Sequence, residues 1–430
     1  MQVIIVGGGI AGLSAALSLH QIGIDCRVYE SVARLDPLGL GINLQPNAVR
    51  ELTALGLGEA LARAGILTAE LAFYNKHGQL IWSEPRGKAA GYLWPQISIS
   101  RGKLHEILLA TIRARLGQDA LATGHHLASL EQRRDKVAAR FTDPSGAPAA
   151  EAEGDLLIGA DGIHSAVRRH FYPGEAAVCD GYLHYRGIVE GEPYLTGRSM
   201  VVVGHRTHRA IVYPIADLPG GKVTINWLAY TKIPSGAPPL EAWDTLADKA
   251  LAVERFRGWT YPWLDVRGLI ARTERVLQLP NVDRDPIPRW SFSRVTLIGD
   301  AAHPMQPVGA QAGSQAVVDG RVLAAALMVN ADPVEACGRR DRVQCQHRRE
   351  DEWRGLYSHC CSQAPCCSRP RASQARAIRR ARSVSSSPSR RAVMRTRSPD
   401  SSPTSLPSGS ARPSSWKTSP APPRSSAPVR

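Results

Sequence analysis

The first thirty residues constrain the fold most strongly, because a strand, a glycine-rich turn and a helix follow one another there. Residues 2–6 form an apolar run without helical period, which predicts a buried parallel strand. Gly7, Gly9 and Gly12 then fill the pattern G-x-G-x-x-G, and residues 10–22 carry apolar side chains at helical spacing. This order predicts a Rossmann-like α/β domain with a dinucleotide pyrophosphate at the helix N-terminus.

Each residue of the pattern has a predicted role. Gly7 allows the tight turn, Gly9 lets the backbone approach a pyrophosphate, and Gly12 lets the helix pack closely on the strand. A second strand over residues 26–29 ends at Glu30, where a carboxylate can accept a hydrogen bond from a ribose hydroxyl. The motif alone leaves NAD and FAD open as ligands.

A signal peptide or membrane span is the competing interpretation of this apolar start. No lysine or arginine precedes the run, three consecutive glycines and His20 interrupt it, and Asp25 closes it without a cleavage pattern. We therefore expect a soluble, cytoplasmic protein with no membrane partner. Of the eight cysteines only Cys26 and Cys179 precede residue 330, which suits a reducing compartment.

The middle of the chain is predicted to be rich in strands, and the strand–turn–helix pattern of the first residues then returns. Strand-like segments around 66–100 and over 181–230 are separated by turns without a strand–helix rhythm, which predicts a mainly antiparallel sheet. A buried strand over 295–298, the pair Gly299–Asp300 and a helix over 311–327 follow. We predict a discontinuous dinucleotide-binding domain of residues 1–180 and 270–335, with an antiparallel substrate domain of residues 181–269 inserted.

Three glycine-marked turns in this order resemble those of a known enzyme family. The first is GGGIAG with Glu30, the second is Asp161-Gly162 with Ser165 and Arg168, and the third is GDAAHP over 299–304. The chain is similar here to the single-component FAD-dependent aromatic monooxygenases of the para-hydroxybenzoate and salicylate hydroxylase type. The runs GINLQPNAVRELTALGLG and IWSEPRG…WPQISISRG most resemble the subgroup acting on 5-methylphenazine-1-carboxylate.

The resemblance implies a set of cofactor-binding residues. The ADP half of FAD would be held by the first motif, the flavin side of the pyrophosphate by an arginine, and the ribityl region by the third motif. The Asp-Gly motif is linked in the family to both FAD and the nicotinamide donor, and a loop over 307–313 would pass under the isoalloxazine ring. The residues are Gly7, Gly9, Ala11, Gly12, Glu30, Arg101, Asp161, Asp300, Gly309, Ala310, Gln311 and Gly313.

The same resemblance implies the reaction. NAD(P)H reduces FAD, O₂ forms a flavin hydroperoxide, and one oxygen passes to a small aromatic substrate such as a phenazine or benzoate carboxylate. The cofactor carries this chemistry, so neither a catalytic triad nor a metal is predicted. Substrate contacts should come from the inserted sheet, of whose residues half must face away from any pocket. The candidates are Tyr185, Arg186, His205, Arg209, Tyr213 and Trp227.

Several plainer interpretations stay open from the sequence. Asp161 and Asp300 could cap helices, and His303 could be a hydrogen-bonded residue that shapes its turn rather than an acid or base. The family's flavin loop usually reads Gln-Gly-Ala, whereas this chain reads Gln311-Ala312-Gly313, so a positive φ at Ala312 would be strained. A flavoprotein oxidase or dehydrogenase is the alternative function, and the protein could be a monomer or a homodimer.

The last segment, 336–430, departs from the family and reads as a disordered basic tail. Much of the net charge of +15 lies there, because Asp400 is the only acid after Glu352. The arginines predict no specific nucleic-acid partner, and the adjacent cysteine pairs at 360–361 and 366–367 lack the spacing of a zinc site. A shifted reading frame would explain the abrupt change. The chain would then be an inactive relic that leaves apolar residues of 317–327 exposed.

Overall fold

The computed structural model describes residues 1–345, apart from 36–38, 206, 234–244 and 306–307. The predicted disorder of residues 346–430 and the cysteine pairs of that segment lie outside the described residues.

Strands and helices alternate at both ends of the described chain, and strands dominate its middle. The α-helices are α1 (Ile10–Gln21), α2 (Pro46–Ala54), α3 (Gly58–Ala64), α4 (Arg101–Leu116), α5 (Ala166–Phe171), α6 (Lys249–Arg255), α7 (Val266–Arg272), α8 (Ala312–Val329) and α9 (Pro333–Cys345). The strands are β1 (Gln2–Val6), β2 (Asp25–Glu30), β3 (Gly41–Leu44), β4 (Ile66–Thr68), β5 (Glu70–Asn75), β6 (Leu80–Pro85), β7 (Gln96–Ser100), β8 (Leu121–Thr123), β9 (His126–Gln132), β10 (Val137–Thr142), β11 (Pro148–Gly154), β12 (Leu156–Gly159), β13 (Val178–Gly191), β14 (Ser199–Gly204), β15 (His208–Asp217), β16 (Val223–Lys232), β17 (Thr245–Leu246), β18 (Thr260–Tyr261), β19 (Leu264–Asp265), β20 (Leu277–Asp283), β21 (Ser291–Phe292) and β22 (Val295–Leu297).

A six-stranded sheet in the order β21-β22-β12-β1-β2-β8 forms the centre of the first domain. Its strands are parallel except β21, and β1 is paired on both sides, with β12 and β2. The apolar residues of β1 are buried, as a central parallel strand requires. The predicted Rossmann-like α/β fold is confirmed.

Helix α8 packs on α1 beside this sheet. At Gly320 an added Cβ would lie 2.8 Å from the Cα of Ala15, so the two helices are in backbone contact. Among the described residues α8 is the one helix with the length and composition of a membrane span, and 67% of it is buried in the fold. Helix α8 is thus a core helix of the first domain.

An eight-stranded, mainly antiparallel sheet has the order β17-β20-β13-β16-β15-β14-β5-β6. The pair β14–β5 is parallel and the other neighbours are antiparallel. The inserted antiparallel sheet is therefore present. Strand β20 belongs to it through pairing with β13, although we assigned residues from 270 onward to the dinucleotide-binding domain. Its backbone hydrogen bonds to β13 had no local signal in the sequence.

The two faces of this sheet have different neighbours. One face, with Trp227, packs against α6 and α7 in an apolar core that includes Phe256 and Ile270. The opposite face meets the first domain, where Asn226 Oδ1 accepts a hydrogen bond from the backbone N–H of Gly41 at 2.7 Å. We call this second side the inner face; it carries His184, Arg186, Arg209, Tyr213, Asn226 and Tyr230.

The disorder predicted from residue 336 is wrong for residues 336–345, which form most of α9. Ala336, Cys337, Arg340 and Val343 are buried at helical spacing. The sequence hid this face because one of its members is an arginine, whose Nη1 donates to Thr296 Oγ1 at 2.6 Å. The apolar residues of 317–327 are correspondingly buried, not exposed.

Candidate active site

The glycine turn after β1 has the geometry that the motif predicts. Gly7 has φ +107°, and an added Cβ would lie 2.4 Å from the carbonyl oxygen of Ala160. At Gly12 a Cβ would lie 2.0 Å from the carbonyl oxygen of Gly7. At Gly9, the N-cap of α1, a Cβ would meet nothing within 4 Å. The turn thus leaves open space in front of the helix N-terminus, whose first N–H groups need an acceptor.

Glu30 lies at the rim of this open space. Its Oε2 accepts from the backbone N–H of Gly8 at 2.6 Å, and its Oε1 accepts from that of Val32 at 2.9 Å. His105 Nε2 lies 2.7 Å from the carbonyl oxygen of Gly8 on the other side. The sequence predicted the carboxylate but missed the histidine, which comes from α4 without a local signal. Ala11 is buried in the first turn of α1.

Arg101 and Asp300 come from distant parts of the chain and interact electrostatically. Arg101 opens α4, and Asp300 lies in the short 3₁₀ turn that follows β22. Loss of hydration raises the pKa of the Asp300 carboxyl. The positive charges of Arg101 and His303 lower that pKa and offset part of the rise. The sequence predicted both residues, and the fold places their charges within electrostatic reach of one another.

Asp161 caps a helix, which is the plainer of its two interpretations. Its carboxylate accepts from Ser165 Oγ at 2.5 Å and from the N–H groups of Ala166 and Val167 at 2.7 and 3.1 Å. Its Cα also borders the glycine turn, 2.9 Å from where a Gly7 Cβ would lie. A cofactor contact of Asp161 stays a prediction.

Arg168 joins the second motif to the third. Its side chain is 2% exposed and forms a two-point ion pair with Glu175, with Nε to Oε2 at 2.6 Å. Its Nη1 donates to the carbonyl oxygens of Ala301 and Ala302, both at 3.2 Å. This buried cation therefore holds the turn that carries Asp300.

His303 and Asp319 fix the same turn from the side of α8. His303 Nε2 lies 2.7 Å from Asp319 Oδ2, and that oxygen also accepts from the N–H of Gly299 at 2.7 Å. Burial alone would lower the pKa of His303, but the charge and hydrogen bond of Asp319 outweigh it and raise that pKa. Burial raises the pKa of Asp319, but His303 and Arg340 outweigh it and lower that pKa. The geometry favours a histidine that shapes the turn.

Stability should depend on pH through this pair. A histidine whose folded pKa exceeds its unfolded value of 6.5 contributes fully below 6.5 and loses that contribution as pH rises through the folded pKa. Asp319 contributes above its unfolded value of 3.8 and loses that contribution as pH falls through its folded pKa. In urea, the free energy of unfolding of the wild type should exceed that of His303→Gln by the largest margin near pH 6 and by a smaller margin at about pH 9. A difference that stays constant over this range would contradict the assigned ion pair.

In the loop before α8 the positive φ angles fall at residues 309 and 310, not at Ala312, where the resemblance to the family had suggested one. Gly309 has φ 77° and Ala310 has φ 54°, whereas Ala312 begins the helix and has no positive φ. The strain considered for Ala312 is therefore absent, and Ala310 carries the unusual backbone instead. At Gly313 an added Cβ would lie 2.5 Å from Ile42 Cδ1, so this side chain of β3 packs directly on the start of α8.

A cleft of about 410 Å³ adjoins this loop. Trp94 and Gln311 line it, and Gln45 ties it to the loop through a donor contact of 3.4 Å to the carbonyl oxygen of Gly309. Gln311 Oε1 is buried and has no hydrogen-bond partner among the described residues. A buried acceptor without a donor is costly, which favours a ligand N–H at this point.

The strand register divides the substrate candidates. Arg186, Arg209 and Tyr213 lie on the inner face. Tyr185 and Trp227 lie on the opposite face, where Trp227 Nε1 donates to Thr273 Oγ1 at 2.8 Å. His205 is exposed just after β14. The sequence missed His184, Asn226 and Tyr230, because only the pairing of β13, β15 and β16 reveals their shared face.

Comparisons with known proteins agree with this geometry. Residues 1–180 match the family model described as FAD binding domain. The chain is 42% identical over 352 residues to phenazine 1,6-dicarboxylic acid hydroxylase PhzS of Lysobacter antibioticus, covering 80% of this chain and 86% of that protein. It is 33% identical to 3-amino-4-hydroxybenzoate 2-monooxygenase PtmB3 of Streptomyces platensis, covering 83% and 88%. The crystal structure of Klebsiella pneumoniae HpxO complexed with FAD and uric acid superposes with TM-score 0.69 at 28% identity, covering 83% and 87%.

The fold, the glycine turn after β1 and the two turns that carry Asp161 and Asp300 define an FAD-binding oxidoreductase. The chain belongs to the family of FAD-dependent aromatic monooxygenases. Its cofactor is FAD, and NAD(P)H is the co-substrate typical of the family. These relatives do not favour a flavoprotein oxidase or an inactive relic.

Proposed function

We propose that this enzyme hydroxylates a planar aromatic carboxylate, of which a phenazine carboxylate is the leading example. The carrying observation is that Arg186 and Arg209 lie on the inner face without an acidic partner among the described residues. Cations at such a site favour a carboxylate ligand. The similarity to a phenazine dicarboxylic acid hydroxylase supports the ring system.

We also propose where FAD is held. The open space at Gly9, the carboxylate of Glu30 and the unpaired Gln311 oxygen all fit the group. The first motif would bind the ADP half, Arg101 and Asp300 the pyrophosphate and ribityl region, and the loop before α8 the ring. The proposed residues are Gly7, Gly9, Ala11, Gly12, Glu30, Arg101, Asp161, Asp300, Gly309, Ala310, Gln311 and Gly313.

In this arrangement each part of the protein has a defined task. FAD, when bound, accepts a hydride from NAD(P)H and supplies the chemistry that activates O₂. With FAD bound, the N-terminal N–H groups of α8 would stabilise negative charge at the pyrimidine end of the ring. The inner face orients the substrate, and the sheet closes that side against water. We propose that the inserted sheet is the substrate domain.

Location and assembly follow the same proposal. A substrate that is a small aromatic acid, O₂ as second substrate and a nicotinamide donor suit a cytoplasmic enzyme that acts as a monomer or homodimer. We propose small molecules as the partners, with neither a specific nucleic acid nor a membrane among them.

The proposal is tested by NAD(P)H oxidation with phenazine-1-carboxylate, benzoate and an uncarboxylated phenazine. We expect the carboxylated phenazine to stimulate NAD(P)H consumption and to gain one oxygen atom from ¹⁸O₂ per NAD(P)H. An oxidase would instead consume O₂ without labelling the aromatic product. Hydroxylation of the uncarboxylated ring at equal kcat/KM would contradict the carboxylate assignment.

A further inference from the structure

The inner face presents two arginines at different distances from the first domain. Asn226, whose side chain binds the Gly41 backbone of the first domain, lies opposite Tyr213 and two residues from Leu228, the partner of Arg186. Arg186 therefore lies at the end of the face next to the first domain. Arg209 lies further out, with its guanidinium carbon 4.5 Å from the centre of the Tyr230 ring.

The strand register sets the distance between the Cα atoms of Arg186 and Arg209. Arg186 is opposite Leu228 on β16, and Leu228 is opposite Ile211 on β15. Arg209 is opposite Tyr230, two residues along from that row. Two strand spacings and two residues place the Cα atoms about 12 Å apart. The two side chains start on different strands and in different rows of the face, so each guanidinium can meet its own acid group of a tricyclic dicarboxylate.

The groups between the arginines do not cancel their charge. His184 is buried two residues from Arg186 and in the same row as Tyr230 and Arg209. Burial, and secondly the charges of Arg186 and Arg209, lower its pKa to about 3, so it is neutral near pH 7. Its Nε2 and the Nε of Arg186 are buried without a hydrogen-bond partner among the described residues. His184 packs against Tyr230 with ring centres 3.9 Å apart. The face thus combines two cations, aromatic surface and unsatisfied polar atoms.

We infer that Arg186 and Arg209 each bind a different acid group at opposite ends of one planar aromatic substrate, so that the site selects a dicarboxylate over a monocarboxylate. The inference rests on the proposed function and adds the number and placement of the acid groups. Arg186 binds the acid group nearer the first domain, Arg209 binds the outer one, and the Tyr230 ring contacts the aromatic plane between them.

The test compares binding of phenazine-1,6-dicarboxylate and phenazine-1-carboxylate by calorimetry, with KM measured in parallel. The variants are Arg186→Met and Arg209→Met. Arg198→Met is the matched control, because Arg198 adjoins the same sheet but is exposed and paired with Asp217. Each inner-face variant should weaken dicarboxylate binding by about tenfold to a hundredfold, as for loss of one charge-assisted pair. The monocarboxylate should respond strongly to one variant only.

The possible failures can be told apart. If the wild type binds both acids equally, or if both variants weaken both acids by one common factor, the two-acid assignment is overturned. If the acids bind in the expected order but are not hydroxylated, the proposed function fails while the binding inference stands. Arg186→Lys and Arg209→Lys guard against misfolding: each should melt like the wild type and recover part of the dicarboxylate affinity.

Discussion

Replacing Arg168 with methionine should lower the free energy of unfolding by about 3–5 kcal/mol and release FAD, because it leaves buried partners without their cation. Arg168 is 2% exposed. Methionine would fill similar space but would leave Glu175 and the carbonyl oxygens of Ala301 and Ala302 without the hydrogen bonds that Arg168 donates. The nearest remaining cation, Arg284, is 3.8 Å from Glu175 Oε2 and cannot replace a two-point contact.

The effect should reach the cofactor because Arg168 supports the turn of Asp300. Urea unfolding and FAD titration of the apoprotein measure the two parts. Arg169→Met is the matched control, since this neighbour is exposed and donates only to the His164 carbonyl oxygen among the described contacts. Equal unfolding midpoints for the two variants would contradict the role assigned to Arg168.

The second large effect concerns Gly12. Alanine there would place a Cβ 2.0 Å from the carbonyl oxygen of Gly7, so α1 must move away from the turn. Overpacking of this kind typically costs about 1–3 kcal/mol and sometimes more, and a clash with backbone belongs at the upper end. We expect Gly12→Ala to lower both the melting temperature of the apoprotein and its affinity for FAD. Normal melting of this variant would show that α1 is not held so closely.

The parts of the fold that could be predicted from sequence are those with local signals. The strand, turn and helix of residues 2–22 are adjacent in the chain, and their hydrophobic period and glycines need no distant partner. The turns at Asp161 and Gly299 repeat the same local pattern. The strands and turns of the middle segment, which lack a strand–helix rhythm, likewise predicted an antiparallel sheet.

The parts that could not be predicted depend on contacts between distant segments. Arg168 meets Ala301 across 133 residues, and His105 meets Gly8 across 97. The inner face could not be separated from the opposite face until the register of β13, β15 and β16 was known. Helix α9 was missed because Arg340, which is fully buried, reads as a surface residue in the sequence.

Flavin content of Gly9→Ala tests the central claim most directly, namely that the turn after β1 holds the pyrophosphate of FAD. A Cβ at Gly9 meets no protein atom within 4 Å, so the apoprotein should melt like the wild type. Gly174→Ala is the matched control, because Gly174 is equally open and lies away from the turn. We expect Gly174→Ala to retain wild-type flavin after purification and Gly9→Ala to lose it. Full flavin content in Gly9→Ala would contradict the account.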